Sequence, residues 1–192
     1  PQFHGSSFLK QILLELTADP APLYREANDA DFARLTAPLW AWLDQLHPTL
    51  WRKGRLFPTS AAETKQLLDD GELAMAISFN PGEAQSSVQN GTLPPAVRAV
   101  AMAKGALTNS HFLAIPFNTS ARAGAKVVAN FLLSPAAQAR KADPAFWGDP
   151  SVLRQDALPG NSQPALRFKA VAEPHPSWQT RLEAAWAERY GH

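Results

Sequence analysis

The sequence predicts an α/β protein. Two short apolar runs, Leu73–Ile77 and His111–Ile115, have the length and bounding turns of buried strands. Segments of helical periodicity lie before, between and after them, the alternation expected of helices packed on a sheet. A third stretch, Val97–Met102, is expected to run extended behind Pro94 and Pro95. Two strands and one further candidate are too few for a complete doubly wound domain. The sheet is therefore expected to be completed by residues this sequence does not contain.

The first helix is expected to begin at Gly5-Ser6-Ser7, because Phe8, Leu9, Ile12, Leu13 and Leu16 recur at helical spacing. Ser6 or Ser7 would cap its first turn, and Asp19-Pro20 would stop it. A second helix starts at Asp31 and buries Phe32, Leu35, Leu39, Trp42, Leu43 and Leu46, with Pro38 as an expected kink and Trp40 off the stripe. Ser60 to Asp70 reads as a short helix closed by Gly71. After the Leu73–Ile77 run and its Ser78–Gly82 turn comes a helix over Glu83–Gln89, ended by Asn90-Gly91.

Lys104 to Ser110 is small and polar. Asn118-Thr119-Ser120 would cap a helix that opens the stretch Ala121 to Lys141 and is followed by a Ser134-Pro135 stop. In it Ala125, Val128, Ala129, Leu132 and Leu133 would face a core, with Val127 and Phe131 at the edges. From Ala142 to Pro176 the chain is aperiodic and rich in proline; it is expected to wrap over its neighbours through Phe146, Trp147, Val152, Leu153, Leu158 and Leu166. Pro176-Ser177 then opens an amphipathic helix carrying Trp178, Leu182, Ala185, Trp186 and Tyr190.

Composition narrows the function classes. The 192 residues are 45% apolar and 18% charged, enough to bury a core in one domain or two small lobes. A net charge of +1 with scattered basic residues argues against a nucleic-acid surface. There is no cysteine, which removes disulfides, zinc–thiolate sites and cysteine nucleophiles. No apolar run approaches the length of a membrane span. The first residues read as those of a processed or truncated chain.

Chemistry-bearing motifs are sparse. His4, His47, His111, His175 and His192 are too widely spaced for a metal set, and neither a Gly-x-Ser-x-Gly elbow nor a phosphate loop occurs. Asp69, Asp70 and Glu72 read as a solvated helix end. No catalytic residue, metal or cofactor is expected, and the protein is not expected to be an enzyme. Binding groups are more plausible on chemical grounds. Ser6 and Ser7 at a helix start either hold an anionic oxygen or simply cap. Ser78, Phe79 and Asn80 follow a strand end, where Phe79 either stacks on a ligand or enters the core and Asn80 either binds or caps. Thr108, Asn109 and Ser110 form a third polar cluster, explained equally by turn chemistry.

A resemblance adds to these readings. Ser110-His-Phe-Leu-Ala-Ile-Pro-Phe-Asn-Thr-Ser-Ala, followed by Ala125-Lys-Val-Val-Ala-Asn-Phe-Leu-Leu-Ser-Pro-Ala-Ala-Gln138, resembles the C-terminal half of type II periplasmic solute-binding proteins of ABC transporters, the class with thiamine, iron and sulfate binders. Phe3-His-Gly-Ser-Ser-Phe-Leu-Lys-Gln, Asp69-Asp-Gly-Glu-Leu-Ala-Met-Ala-Ile-Ser-Phe-Asn-Pro and Lys141-Ala-Asp-Pro-Ala-Phe-Trp-Gly-Asp-Pro-Ser-Val-Leu are similar to a YnjB-like branch of it.

The resemblance implies a two-lobed, periplasmic-binding-protein-like type II α/β fold, present as an incomplete C-terminal fragment. Residues 1–103 would be most of the second lobe; residues 104–192 would be the hinge return, the C-terminal part of the first lobe and the terminal helix. It implies a monomer in the Gram-negative periplasm, exported by a signal peptide outside this chain, that captures a small molecule or ion and delivers it to a membrane permease. The cleft positions fall on Gly5, Ser6 and Ser7, on Ser78, Phe79 and Asn80, and on Thr108, Asn109 and Ser110, with Ser6, Ser78, Asn80 and Asn109 converging on one concave surface. With only Tyr24 and Tyr190 present, iron held by tyrosines is not expected. The alternatives are an enzyme on a similar scaffold, or an interaction module built on Trp40, Trp51, Trp178 and Trp186.

Overall fold

A computed structural model describes residues 3–108, 112–143, 145–160 and 168–191. Among the described residues the chain forms helices α1 (Phe3–Leu16), α2 (Asp29–Leu46), α3 (Ala61–Asp69), α4 (Glu83–Gln89), α5 (Arg122–Leu132), α6 (Pro135–Ala142) and α7 (Pro176–Tyr190), with short 3-10 turns between some of them. Strands β1 (Ala106–Thr108) and β2 (Ala170–Ala172) form one two-stranded parallel sheet. The chain divides into two units. Unit 1 takes Pro1–Ile77, Ala101–Asn109 and Lys169–His192; unit 2 takes Ser78–Val100 and Ser110–Phe168. The expected boundary at 103/104 falls inside the 101–109 segment that returns to unit 1.

This architecture overturns the expected type II, two-lobed α/β fold. Helices dominate, and the one sheet among the described residues has three residues per strand. Neither expected strand forms in its described residues. Met75 is 84% exposed and Phe112 89% exposed, both in irregular chain, and Val97–Met102 joins no strand among the described residues. An extended segment gains its backbone hydrogen bonds only from a neighbouring strand, so an apolar run without one stays irregular.

Unit 1 is built around α1, α2 and α7. Leu9, Ile12, Leu13 and Leu14 of α1 pack with Leu35, Leu39, Trp40 and Leu43 of α2 and with Trp178 and Leu182 of α7. Asn28 caps α2 by accepting the Asp31 amide, so the helix starts two residues earlier than expected, and Pro38 sits inside it without ending it. Trp40, expected off the stripe, is buried: its indole Nε1 donates to Thr36 Oγ1 at 2.9 Å, and Arg189 lies over the ring. Ser60 caps α3, and the Glu63 carboxylate reaches back to the Thr59 amide.

Polar contacts fix the remaining geometry. Lys10 Nζ, almost fully buried on α1, contacts Glu173 Oε2 at 2.5 Å and Gln179 Oε1 at 3.0 Å. Ser6 donates to Glu183 of α7, and this bond, the largest influence, holds the Glu183 carboxyl below its ordinary range. A depressed folded pKa stabilises the fold above the unfolded value, and that share is lost as pH falls through the folded value. Acid unfolding of Glu183→Gln is therefore expected to be less steep with pH than that of the wild type, and equal slopes would contradict this role.

The sheet depends on α1 as well. Ala106 N–H donates to Lys169 O across the ladder, while Gln11 takes the opposite edge of β1, donating to Gly105 O at 2.8 Å and accepting from Leu107 N at 2.9 Å. Lys104 Nζ donates to the carbonyls of Leu14 and Thr17 at the end of α1, neutralising groups that helix termini leave without partners. Gly105 has φ +112°, and a Cβ there would lie 2.4 Å from Lys169 O. Gly105→Ala is expected to destabilise unit 1 by about 2 kcal/mol or more, readable as a lower denaturant midpoint. An unchanged midpoint would mean the ladder is dispensable.

Unit 2 carries α4, α5 and α6. α5 ends just before Ser134-Pro135, as expected, and the same pair caps and begins α6, with Ser134 Oγ accepting the Ala137 amide. Gln138 ties the unit together by donating to Leu132 O and accepting from Val152 N. Leu93, Ala142 and Leu158 are buried with Ser87, Gln138 and Ser151. Of the expected core stripe of α5, Val128, Leu132 and Leu133 are instead exposed, as are its edge residues Val127 and Phe131 and the expected anchors Phe146, Trp147 and Val152. Leu166 lies outside the described residues.

Candidate functional site

Within unit 2, the Ser78–Asn80 loop and the turn around Gly148 meet at the start of α4. Asn80 makes the junction. Its Oδ1 accepts the Gly82 amide at 2.9 Å, its Nδ2 donates to Trp147 O at 2.8 Å, and its own N–H donates to Ser78 Oγ at 3.1 Å. The Ser78 hydroxyl in turn donates to the Glu83 carboxylate, and Glu83 N–H donates to Asn80 O. Asn80 thus organises the turn that leads into α4 while gripping a second loop. The approach is close enough to demand glycine, since a Cβ on Gly82 would lie 2.8 Å from Gly148 O.

The second loop has its own supports. Gly148 takes φ +71°, and its N–H donates to Asp143 O. Lys141 pairs with Asp149 at 2.5 Å, donates to Pro150 O at 2.6 Å and lies over the Trp147 ring. Arg140 covers the Phe146 ring at 3.9 Å. Phe79, Phe146 and Trp147 are each about half exposed. The junction therefore presents aromatic surface, a side-chain amide and carboxylates that already have partners. Among the described residues no group of three or more His, Asp or Glu side chains is placed to hold a metal ion.

The other expected site residues fall in unit 1 or outside the described chain. Gly5, Ser6 and Ser7 lie inside α1, which already includes Phe3, so neither serine caps the helix; both are buried, and Ser6 is engaged by Glu183. Thr108 ends β1 and is exposed. Asn109 and Ser110 lie outside the described residues. The structure thus brings Ser78 and Asn80 together, and joins them to Glu83, Trp147 and Gly148. Sequence reasoning missed these three as partners, although Trp147-Gly-Asp-Pro had stood out as a motif; the glycine before an Asp-Pro pair was the available signal for a tight turn.

Residues 8–159 match the model of a family described as bacterial extracellular solute-binding protein. The span contains both loops of the junction and excludes Gly5–Ser7. Over 198 aligned positions the chain is 49% identical to protein YnjB of Escherichia coli (strain K12), covering 100% of this chain and 51% of that relative. The chain thus spans about half the length of the curated relative it matches. No solved structure matches it significantly.

Proposed function

Because the chain belongs to the bacterial extracellular solute-binding protein family, we propose that it serves as the solute-capturing component of an ABC import system. In this reading the whole protein works in the periplasm, closes on a small molecule or ion and hands it to a membrane permease, with the ligand-bound form stabilising closure. Ser78, Phe79 and Asn80 meet the solute from unit 2; Gly5, Ser6, Ser7, Thr108, Asn109 and Ser110 are the further contacts the resemblance suggests. No catalytic step is involved, in keeping with a family of binders.

The observation that carries the reading is the Asn80 junction inside the family-matching span, where an exposed phenyl ring is held beside an amide fixed by two loops. A thermal-shift screen of the whole protein against anions, polyamines, thiamine and metal ions tests it. A solute at a hundred times its Kd is expected to add about 2.7 kcal/mol of stability. Asn80→Ala is expected to weaken that binding about tenfold, the equivalent of one lost hydrogen bond to a polar ligand. A solute that binds Asn80→Ala and Phe79→Ala as tightly as the wild type would remove this loop from the site.

A further inference from the structure

A second candidate site lies in unit 1 and shares no residue with the solute contacts discussed above. At the C-terminal ends of α2 and α7, His47 stacks on Tyr190 with ring centroids 3.9 Å apart, and Trp186 and Phe57 pack edge-on or tilted around them. The Tyr190 hydroxyl donates to Asp44 Oδ1 at 2.6 Å, and burial, then this carboxylate, push its pKa up, so the ring stays neutral. Beside the stack opens a cavity of about 340 Å³ lined by Asp44, His47, Lys53, Gly54, Arg55 and Tyr190. That volume lies at the lower end of small-molecule sites, which run from about 300 to 1,000 Å³.

The turn that forms one wall is unusual. Arg52 and Lys53 both take positive φ, at 51° and 57°, and Gly54 follows at 69°. L-residues adopt this region at a cost, and such costs gather where a loop must hold side chains in place for function. Here the turn presses Gly54 against His47, where a Cβ would meet the His47 carbonyl at 3.0 Å and Nδ1 at 3.1 Å. It brings Lys53 and Arg55 to the cavity while Arg52 turns away over Trp51. Neither the Lys53 ammonium nor the Arg55 guanidinium has a hydrogen-bonding or ionic partner among the described residues. The one carboxylate lining the cavity, Asp44, is taken by Tyr190.

We propose that this cavity binds a small organic anion with a planar apolar body, its ring laid against the His47–Tyr190 stack and its charge met by Lys53 and Arg55. Aromatic walls supply contact area without polar demands, and two cations at one edge select negative charge. The site shares no residue with the Asn80 junction, so its success or failure leaves the solute-binding reading of unit 2 intact.

Benzoate is a suitable probe, with benzamide as its uncharged counterpart and acetate as charge without a ring. Titration of the full chain, followed by backbone amide shifts and calorimetry, is expected to show saturable benzoate binding that perturbs Lys53, Gly54, Arg55 and the Trp186 indole. Benzamide and acetate are expected to bind about tenfold more weakly, as is benzoate to a Lys53→Ala/Arg55→Ala variant, while Lys65→Ala binds as the wild type does. Lys53→Gly relieves the strained backbone and keeps the fold, yet is expected to bind benzoate more weakly. Equal affinity for benzoate and benzamide overturns the proposal. So do undiminished binding by Lys53→Gly, shifts confined to other surfaces, or no saturation at tens of millimolar.

Discussion

Trp178→Ala is expected to remove about 3–5 kcal/mol from unit 1, the cost of deleting a large side chain from a packed interior. Trp178 is 0% exposed, packs against Phe32 with ring centroids 5.9 Å apart, and donates its indole N–H to Arg25 O at 3.0 Å. It also stands where three segments are tied. His175 N–H donates to Leu23 O, Ser177 Oγ accepts the Ala27 amide, and Arg181 reaches Ala27 O and Asp29. The truncation therefore opens a cavity at the seam of α7 with the loop between α1 and α2, where little can collapse to fill it. For a chain of this size each kcal/mol moves Tm by about 2–4 °C, so a fall of roughly 10 °C is expected by calorimetry. Trp178→Phe should recover most of the packing while leaving Arg25 O without its donor. A Trp178→Ala protein as stable as the wild type would mean that α7 does not hold the unit together.

Lys10→Met is expected to cost about 2–3 kcal/mol, because it keeps most of the side-chain volume and deletes only the charge that Glu173 and Gln179 need. Lys10 is 5% exposed, whereas the Glu173 side chain is 29% exposed and can recruit water, which keeps the loss below that of a sealed ion pair. A second change separates the two contributions. Lys10→Met combined with Glu173→Leu removes both charges, and the pair is expected to regain at least half of the lost stability in urea titrations. If the double variant is weaker than the single one, α1 and the strand segment are held by something other than this pair.

The helices were the most legible part of the sequence. Glu83–Gln89 forms with the bounds that its polar turn and Asn90-Gly91 stop suggested, Ser60 caps α3, and Pro176 opens α7. The reason is that a helix satisfies its backbone within a few residues, so caps, stops and apolar spacing carry most of the information locally. Where local signals compete, tertiary packing decides. Ser6 and Ser7 resemble caps, but Phe3 already lies within the helix and both serines turn inward. Ser134-Pro135 does terminate α5, but a proline at the first helical position is equally a beginning, and α6 starts there.

Of the candidate site, Ser78, Phe79 and Asn80 could be singled out from residue type and the turn they occupy. Their partners could not, because Trp147 stands 67 positions away from Asn80 and nothing in either segment specifies the other. The same holds for the sheet. Ala106–Thr108 reads as a small polar stretch and Ala170–Ala172 as part of an aperiodic tail, yet these are the residues that pair, with Gln11 on one edge and Gly105 permitting the approach. The more apolar runs at Leu73–Ile77 and Phe112–Ile115 find no partner among the described residues and form no strand.

Sequence alone therefore settled the family motifs, the Ser60 cap of α3 and most of the apolar faces of α1, α2 and α7, all of which depend on neighbours a few residues apart. By contrast, α5 starts without the expected side-chain cap from Asn118-Thr119-Ser120. Which strands exist, which stripe is buried and which loop Asn80 grips were settled by folding in three dimensions. A strand, a core face or a loop junction gains its free energy only from groups that the chain brings in from far along its length.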